Sequence, residues 1–254
     1  MSKNNMIYQQ QNINKIFFDF IISISILLIV SPLILCFILI VFFYDWHNPF
    51  YISERVGLNG KTFRIYKIRT MVKNADKIGG TSTKSSDSRL LPIGKFIRKF
   101  KLDELAQLFN VINFSMALVG PRPNTSLDVS YYSYKERNLL NVRPGITDFS
   151  SIVFADEGDI LNKFENPDLA YNQLIRPWKS RLGLFYISKT DFKTDLYLLI
   201  LTFINIFDRK KALKLVSRLI EKKGGSNELV NIAKRSEPLK PTPPPGFSEP
   251  VTTI

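Results

Sequence analysis

Residues 20–44 read FIISISILLIVSPLILCFILIVFFY, 25 residues without a charge. As a helix rising about 1.5 Å per residue, this run reaches roughly 37 Å, more than the ~30 Å hydrocarbon core of a bilayer. The alternative is a buried core helix, but soluble domains of this size seldom commit so long an apolar run to one helix. The run is too long for the h-region of a cleaved signal peptide, and it ends at Phe42-Phe43-Tyr44-Asp45-Trp46 instead of small residues. It reads as a retained anchor, with Tyr44 and Trp46 at headgroup level. Pro32 falls in mid-run behind Ser31. A proline removes one helix hydrogen bond and clashes with the preceding turn, and a serine hydroxyl can take the freed carbonyl. Two arms of about 12 residues would each reach about 18 Å, half a bilayer. On these residues a re-entrant hairpin and a straight kinked span are both open.

The net charge is +13. Residues 1–45 balance two cations against two anions, and 237–254 carry one cation against two anions, so about +14 falls on 46–236. A basic domain beside an anchor suits an anionic phospholipid membrane and phosphorylated ligands. No nucleic-acid motif accompanies the charge, so nucleic acid is not an expected partner. Cys36, inside the apolar run, is the only cysteine, and His47 the only histidine. Disulfide frameworks, Cys/His zinc sites and Ser-His or Cys-His nucleophile pairs are thereby disfavoured. Any chemistry must come from carboxylates, Lys, Arg and a hard metal.

Beyond the anchor, 50–56 and 61–68 are rich in aromatic and β-branched residues and flank Asn59-Gly60, a type I′ hairpin signal. The polar residues 73–89 read as a mobile loop. Residues 94–113 read as helical with a break near Lys101. Ile93, Phe96, Ile97 and Phe100 share one face there, as in an interfacial amphipathic helix or an ordinary packed one. Residues 126–140 and 159–190 read as helical, and the apolar 196–207 is too short to span. A basic stretch covers 209–223. From 237 onward 6 of 18 residues are proline, which predicts a disordered or extended tail.

Three clusters could carry chemistry. Asp103 and Glu104 sit at a predicted helix start, about 100° apart, so they would take separate roles; the positive end of the helix would help keep Asp103 ionised. Acidic residues in a first turn are more often simple capping. Arg122 lies between Pro121 and Pro123, on a stiff loop from which its planar fork could meet two phosphate oxygens; a plain turn with an exposed arginine is the bland alternative. Lys67 and Arg69, on alternate strand positions, project to one side and could line a phosphate site or simply decorate a strand edge.

In order, the anchor, KIRTM (67–71), DSR (87–89), IGKFIRKFKLDELAQLFNV (93–111), LVGPRP (118–123) and RPGIT (143–147) resemble the monotopic phosphoglycosyl transferases, or bacterial sugar transferases. The resemblance runs from about Ile16 to Phe207 and is densest over 93–147. It implies that Asp103 is a nucleophile, that Glu104 assists at a metal and in proton handling, and that Mg²⁺ is the cofactor held by the pair. It places Arg69, Arg89, Arg98 and Arg122 near phosphates. It makes Ser31-Pro32 the break of a re-entrant membrane helix with both ends cytoplasmic. The family commonly has Thr-Ser before Leu-Asp-Glu-Leu and Pro after it, where this chain has Phe100, Lys101 and Ala106. Gly-Trp often follows RPGIT, where this chain has Asp148-Phe149.

The expected fold is a mixed, helix-rich α/β catalytic domain on the cytosolic side, with a re-entrant helix hairpin and interfacial helices. The expected layout is an N-terminal flank at 1–15, an anchor at 16–45, a catalytic domain at 46–223, and a linker and tail at 224–254. The extra N-terminal helices of the large family members are not seen, which would make this the short form. By the resemblance, the substrates are a UDP-sugar and undecaprenyl phosphate at the bacterial inner membrane; a homodimer and downstream glycosyltransferases are compatible partners. A non-catalytic lipid-binding scaffold and a lipid phosphatase are the rivals. A scaffold needs neither Asp103-Glu104 nor GPRP, and a phosphatase would release inorganic phosphate without needing a sugar nucleotide.

Overall fold

The structure, a computed structural model, describes residues 13–252 except 79 and 81. Residues 1–12 of the N-terminal flank lie outside the described residues. Helices dominate, and two small two-stranded sheets sit among them.

The apolar run forms α1, Ile13–Asp45, a single helix of 33 residues with Pro32 inside it. Helical structure is continuous across Ser31-Pro32, and no loop divides the two arms. Pro32 cannot donate to the carbonyl of Leu28, and the Ser31 hydroxyl donates to that same carbonyl at 2.9 Å. The orphaned acceptor is satisfied locally, so the helix continues. One side of α1 packs on the domain through Ile34, Phe37 and Val41, while Leu28, Ile29, Leu35 and Phe43 on the other side are exposed. By length and composition α1 could cross a membrane.

Both ends of α1 are fastened to the domain. At the N-terminal end the buried Lys15 ammonium donates to Asp195 Oδ2 at 2.6 Å, and Asp195 Oδ1 accepts from the Tyr186 hydroxyl at 2.6 Å. At the other end Arg69 donates to both oxygens of Asp45, at 2.7 and 2.6 Å, and also to the carbonyls of Val41, Asn48 and Met71. Replacing Arg69 with Ala leaves Asp45 and the carbonyls of Val41, Asn48 and Met71 without this partner. The expected cost is about 3 kcal/mol, a melting temperature about 6–12 °C lower in detergent. A drop under 2 °C would show that the clamp holds nothing.

Strands β1 (Phe50–Val56) and β2 (Thr62–Ile68) pair antiparallel, with Val56 opposite Thr62. Asn59 and Gly60 have φ of 56° and 76°, as a type I′ turn requires. Helix α2 (Pro92–Lys99) ends before Lys101, whose φ of 57° breaks the run; a 3₁₀ segment, Leu102–Gln107, and α3 (Leu108–Ile112) follow. Strands β3 (Ala117–Val119) and β4 (Gly145–Thr147) are parallel. At their ends Gly120 and Gly145 nearly touch: a Cβ on Gly145 would sit 2.0 Å from the nitrogen of Gly120. Only glycine permits this approach, which brings LVGPRP and RPGIT together.

The main core lies among α5 (Phe149–Val153), α8 (Arg176–Lys189), α9 (Phe192–Phe207), α10 (Arg209–Lys222) and α11 (Asn227–Lys234), centred on Phe149, Leu182, Tyr186, Leu198 and Val216. Short helices α4 (Ser126–Ser130), α6 (Glu157–Leu161) and α7 (Pro167–Ala170) fill the connections. Asp148 and Phe149, where the sequence leaves the family pattern, have structural work. Asp148 caps α5 by accepting from the Ser151 N–H at 2.8 Å, and Phe149 is buried against Phe185 and Tyr186. The proline-rich tail runs extended along the domain. Pro177 cannot bond to the Gln173 carbonyl, and the Thr242 N–H takes that carbonyl at 3.0 Å, while Gln173 Nε2 donates to Val251 O at 2.7 Å.

Candidate active site

Three segments meet at the acidic pair. The 3₁₀ turn carries Asp103 and Glu104, β2 carries Lys67, and the loop after β3 carries Arg122. The Asn110 side chain fixes β2 in place: its Oδ1 accepts from the Tyr66 N–H at 3.0 Å, and its Nδ2 donates to Arg64 O at 2.7 Å. Lys67 is thereby held with its ammonium 3.7 Å from Glu104. Pro121 and Pro123 flank Arg122, which donates to both Glu104 oxygens, at 3.0 and 2.6 Å, and to the carbonyl of Ile146.

The two carboxylates differ sharply. Burial by itself would raise Glu104, but Arg122 and Lys67 outweigh it and hold the group far below the usual glutamate range. Asp103 is 5% exposed and accepts no hydrogen bond from the described residues. Burial pushes it above the usual aspartate range; Lys67 opposes this and Glu104 adds to it. The helix start expected to keep Asp103 ionised is only a 3₁₀ turn, and desolvation dominates there. Burial likewise pulls the Lys67 ammonium down, with Glu104 and Asp103 supporting its charge.

Arg98 lies within the electrostatic reach of Asp103 and Lys67, and its side chain makes no hydrogen bond among the described residues. Arg69 and Arg89 are not brought to the pair with free donors. Arg69 makes five hydrogen bonds in its clamp on α1, and a guanidinium has five N–H groups. Arg89 is held by Asp87, with Nη2–Oδ2 at 2.7 Å, and by the carbonyls of Ala75 and Gly80. It organises the loop at 73–89, which is also anchored by Ser82 N–H to Asp168 at 2.8 Å and Ser85 N–H to Gly158 O at 3.1 Å.

That anchoring draws in residues the sequence reading did not single out. Glu157, at the start of α6, pairs with Lys179 of α8, whose ammonium lies 5.4 Å from the ring centre of Tyr171. Burial would raise Glu157, but Lys179 holds it low, with Lys101 and Arg122 adding to the effect. Glu157 and Lys179 thus lie within the electrostatic reach of Arg122. No local pattern marks Glu157 or Lys179, which are 22 residues apart.

Two carboxylates of unlike character, one locked by an arginine between prolines and one unbonded, lie within a segment that matches the bacterial sugar transferases. The family profile of that description matches residues 10–209, and the chain belongs to this family. Among its relatives, an exopolysaccharide production protein of Sinorhizobium fredii is 37% identical over 150 residues, covering 53% of this chain and 66% of that protein. A UDP-N-acetylgalactosamine-undecaprenyl-phosphate N-acetylgalactosaminephosphotransferase of Aeromonas hydrophila is 32% identical over 180 residues, covering 68% of this chain and 42% of that protein. An undecaprenyl-phosphate galactose phosphotransferase of Salmonella typhimurium is 36% identical over 167 residues, covering 57% of this chain and 33% of that protein.

Proposed function

We propose that this chain transfers a sugar 1-phosphate from a UDP-sugar to undecaprenyl phosphate, releasing UMP, through a phospho-sugar intermediate on Asp103. The observation that carries this is the unbonded, buried Asp103 carboxylate beside a Glu104 held by Arg122. An Asp103 oxygen attacks the sugar-bearing phosphorus, and the bond from that phosphorus to the bridging oxygen breaks, so that UMP leaves. An oxygen of the lipid phosphate then attacks the same phosphorus and frees the carboxylate. Arg122 braces Glu104, and the donors of Arg98 are open to a phosphate oxygen.

The donor set suits Mg²⁺. No group of three or more acidic, Cys or His ligands exists among the described residues, and Mg²⁺ typically takes one or two carboxylates and completes its shell with substrate phosphates and water. Asp103 and Glu104 would hold it, and it would supply positive charge to the diphosphate. The two relatives with different sugars in their names leave the sugar open, so the decisive assay is UMP release across a panel of UDP-sugars with polyprenyl phosphate. Release with none of them, from folded protein, would sink the reading. The product would begin an O-antigen, capsule, exopolysaccharide or glycoprotein glycan.

The chain would work on the cytoplasmic face of the inner membrane, with α1 entering from one side. The fastening of both ends of α1 to one domain supports this, because a domain on one side of a bilayer cannot hold both ends of a spanning helix. The exposed stripe of Phe192, Leu196, Ile200, Phe203 and Phe207 on α9 would rest in the interface. Cysteines placed near Ser2 and near Asn48, in a Cys36→Ser background, should resist a membrane-impermeant maleimide added to intact cells from the periplasm. Labelling at either end would establish a true span.

A further inference from the structure

The family match ends at residue 209, and the two helices beyond it build a groove of their own. Helices α10 and α11 flank an open groove of about 590 Å³ lined by Arg209, Lys210, Lys214, Arg218, Lys234 and Arg235. Glu221 is the single carboxylate in its lining. Asp156, behind it, pairs with Arg209 at 2.7 Å and Arg235 at 3.3 Å. Six cations therefore share two carboxylates. Like charges gathered in one concave surface repel each other, and its walls focus their field on whatever anion enters.

Arg235 adds a second observation. It closes α11 with φ of 52°, in the left-handed conformation usually left to glycine. An arginine there keeps its guanidinium at a fixed place, 5.3 Å from the ring centre of Phe154. Its Nε and Nη1 are buried, with no hydrogen-bond partner among the described residues, and so is Nε of Arg209. Buried guanidinium donors are normally paired, and these belong to residues that line the groove.

We propose that the α10–α11 groove is a second anion site that binds a phosphate ester, separate from the catalytic pair. Asp156, which pairs with two of its arginines, directly precedes Glu157, the partner of Lys179. The groove also begins two residues after Phe207, whose ring packs tilted by 58° against Phe203 at 5.1 Å between ring centres, both rings exposed. The ligand chemistry is thus a phosphate head, either free in solution or carried on a lipid whose tail reaches those rings.

The test uses the full chain in a zwitterionic detergent. Inorganic pyrophosphate binding is measured by calorimetry, and retention of phosphatidylglycerol against phosphatidylcholine by native mass spectrometry. Lys214→Ala with Arg218→Ala removes two exposed groove cations without touching the core. Lys211→Ala with Lys222→Ala removes the same charge from the same helix outside the groove. Binding of one of the two anionic probes should weaken at least about tenfold in the first variant and less than about twofold in the second. Pyrophosphate responding alone identifies a soluble phosphate ester, and phosphatidylglycerol responding alone identifies a lipid head. The active site is unaltered in all three proteins, so its own anion affinity cancels. Equal weakening in both variants, or no groove-dependent binding of either probe, overturns the proposal.

Discussion

Asp103→Asn should abolish turnover, and with it the release of UMP when no lipid acceptor is present. The amide keeps the shape of the side chain and loses the anion that the proposed reaction needs. Losses on removing a covalent nucleophile are on the order of 1,000-fold or more. The site holds no other candidate in that position: the only histidine and the only cysteine are His47 and Cys36, and Glu104 is engaged by Arg122. Enzyme incubated with UDP-sugar and Mg²⁺ alone should carry a phospho-sugar adduct on the peptide containing Asp103. Ternary-complex kinetics, with no adduct and no lipid-independent UMP, would mean that the lipid phosphate attacks directly and Asp103 serves only as a ligand or base.

Arg122→Ala should lower kcat/KM at least tenfold, the worth of one charge-assisted contact of about 1.5–3 kcal/mol. The sequence suggests that the fold would hardly notice this change. The structure adds a cost, because Arg122 is bonded to both oxygens of Glu104 and to Ile146. Its removal leaves a largely buried carboxylate with Lys67 as its remaining cation, so a lower melting temperature should accompany the loss of rate. Arg122→Lys keeps the charge without the planar fork and should fall between the two. A double-mutant cycle with Glu104→Gln separates bracing from phosphate contact. Strict additivity would show that the two side chains act independently. Near-normal turnover by a well-folded Arg122→Ala protein would remove it from the site.

Local signals in the chain were read well where the cause is local. Asn59-Gly60 specifies its turn through two positive φ angles, and the helix break near Lys101 is one residue in the left-handed region. Asp103, Glu104, Lys67 and Arg122 come together because glycines 120 and 145 allow two strands to close and Asn110 pins β2. What could not be read is how cations far apart in sequence divide their work. Arg69 looks on a strand like a phosphate ligand, yet Asp45, 24 residues earlier, claims it. Arg89 is claimed by Asp87 within its own loop. Glu157 and Lys179 carry no motif, and only the tertiary fold makes them neighbours. Pro32 breaks a ladder bond on paper, and a single serine hydroxyl repairs it.

The fastening of Lys15 to Asp195 also orders events in time. The two residues are 180 positions apart, and a ribosome adding about 5–20 residues per second takes roughly 9–36 s to make the second after the first. During that interval the anchor has emerged, but its charged root lacks the partner that will take it out of water. Seating of α1 must therefore follow synthesis of α9. A nascent chain stalled before Asp195 should show Lys15 still open to chemical modification, and one released after α9 has emerged should not.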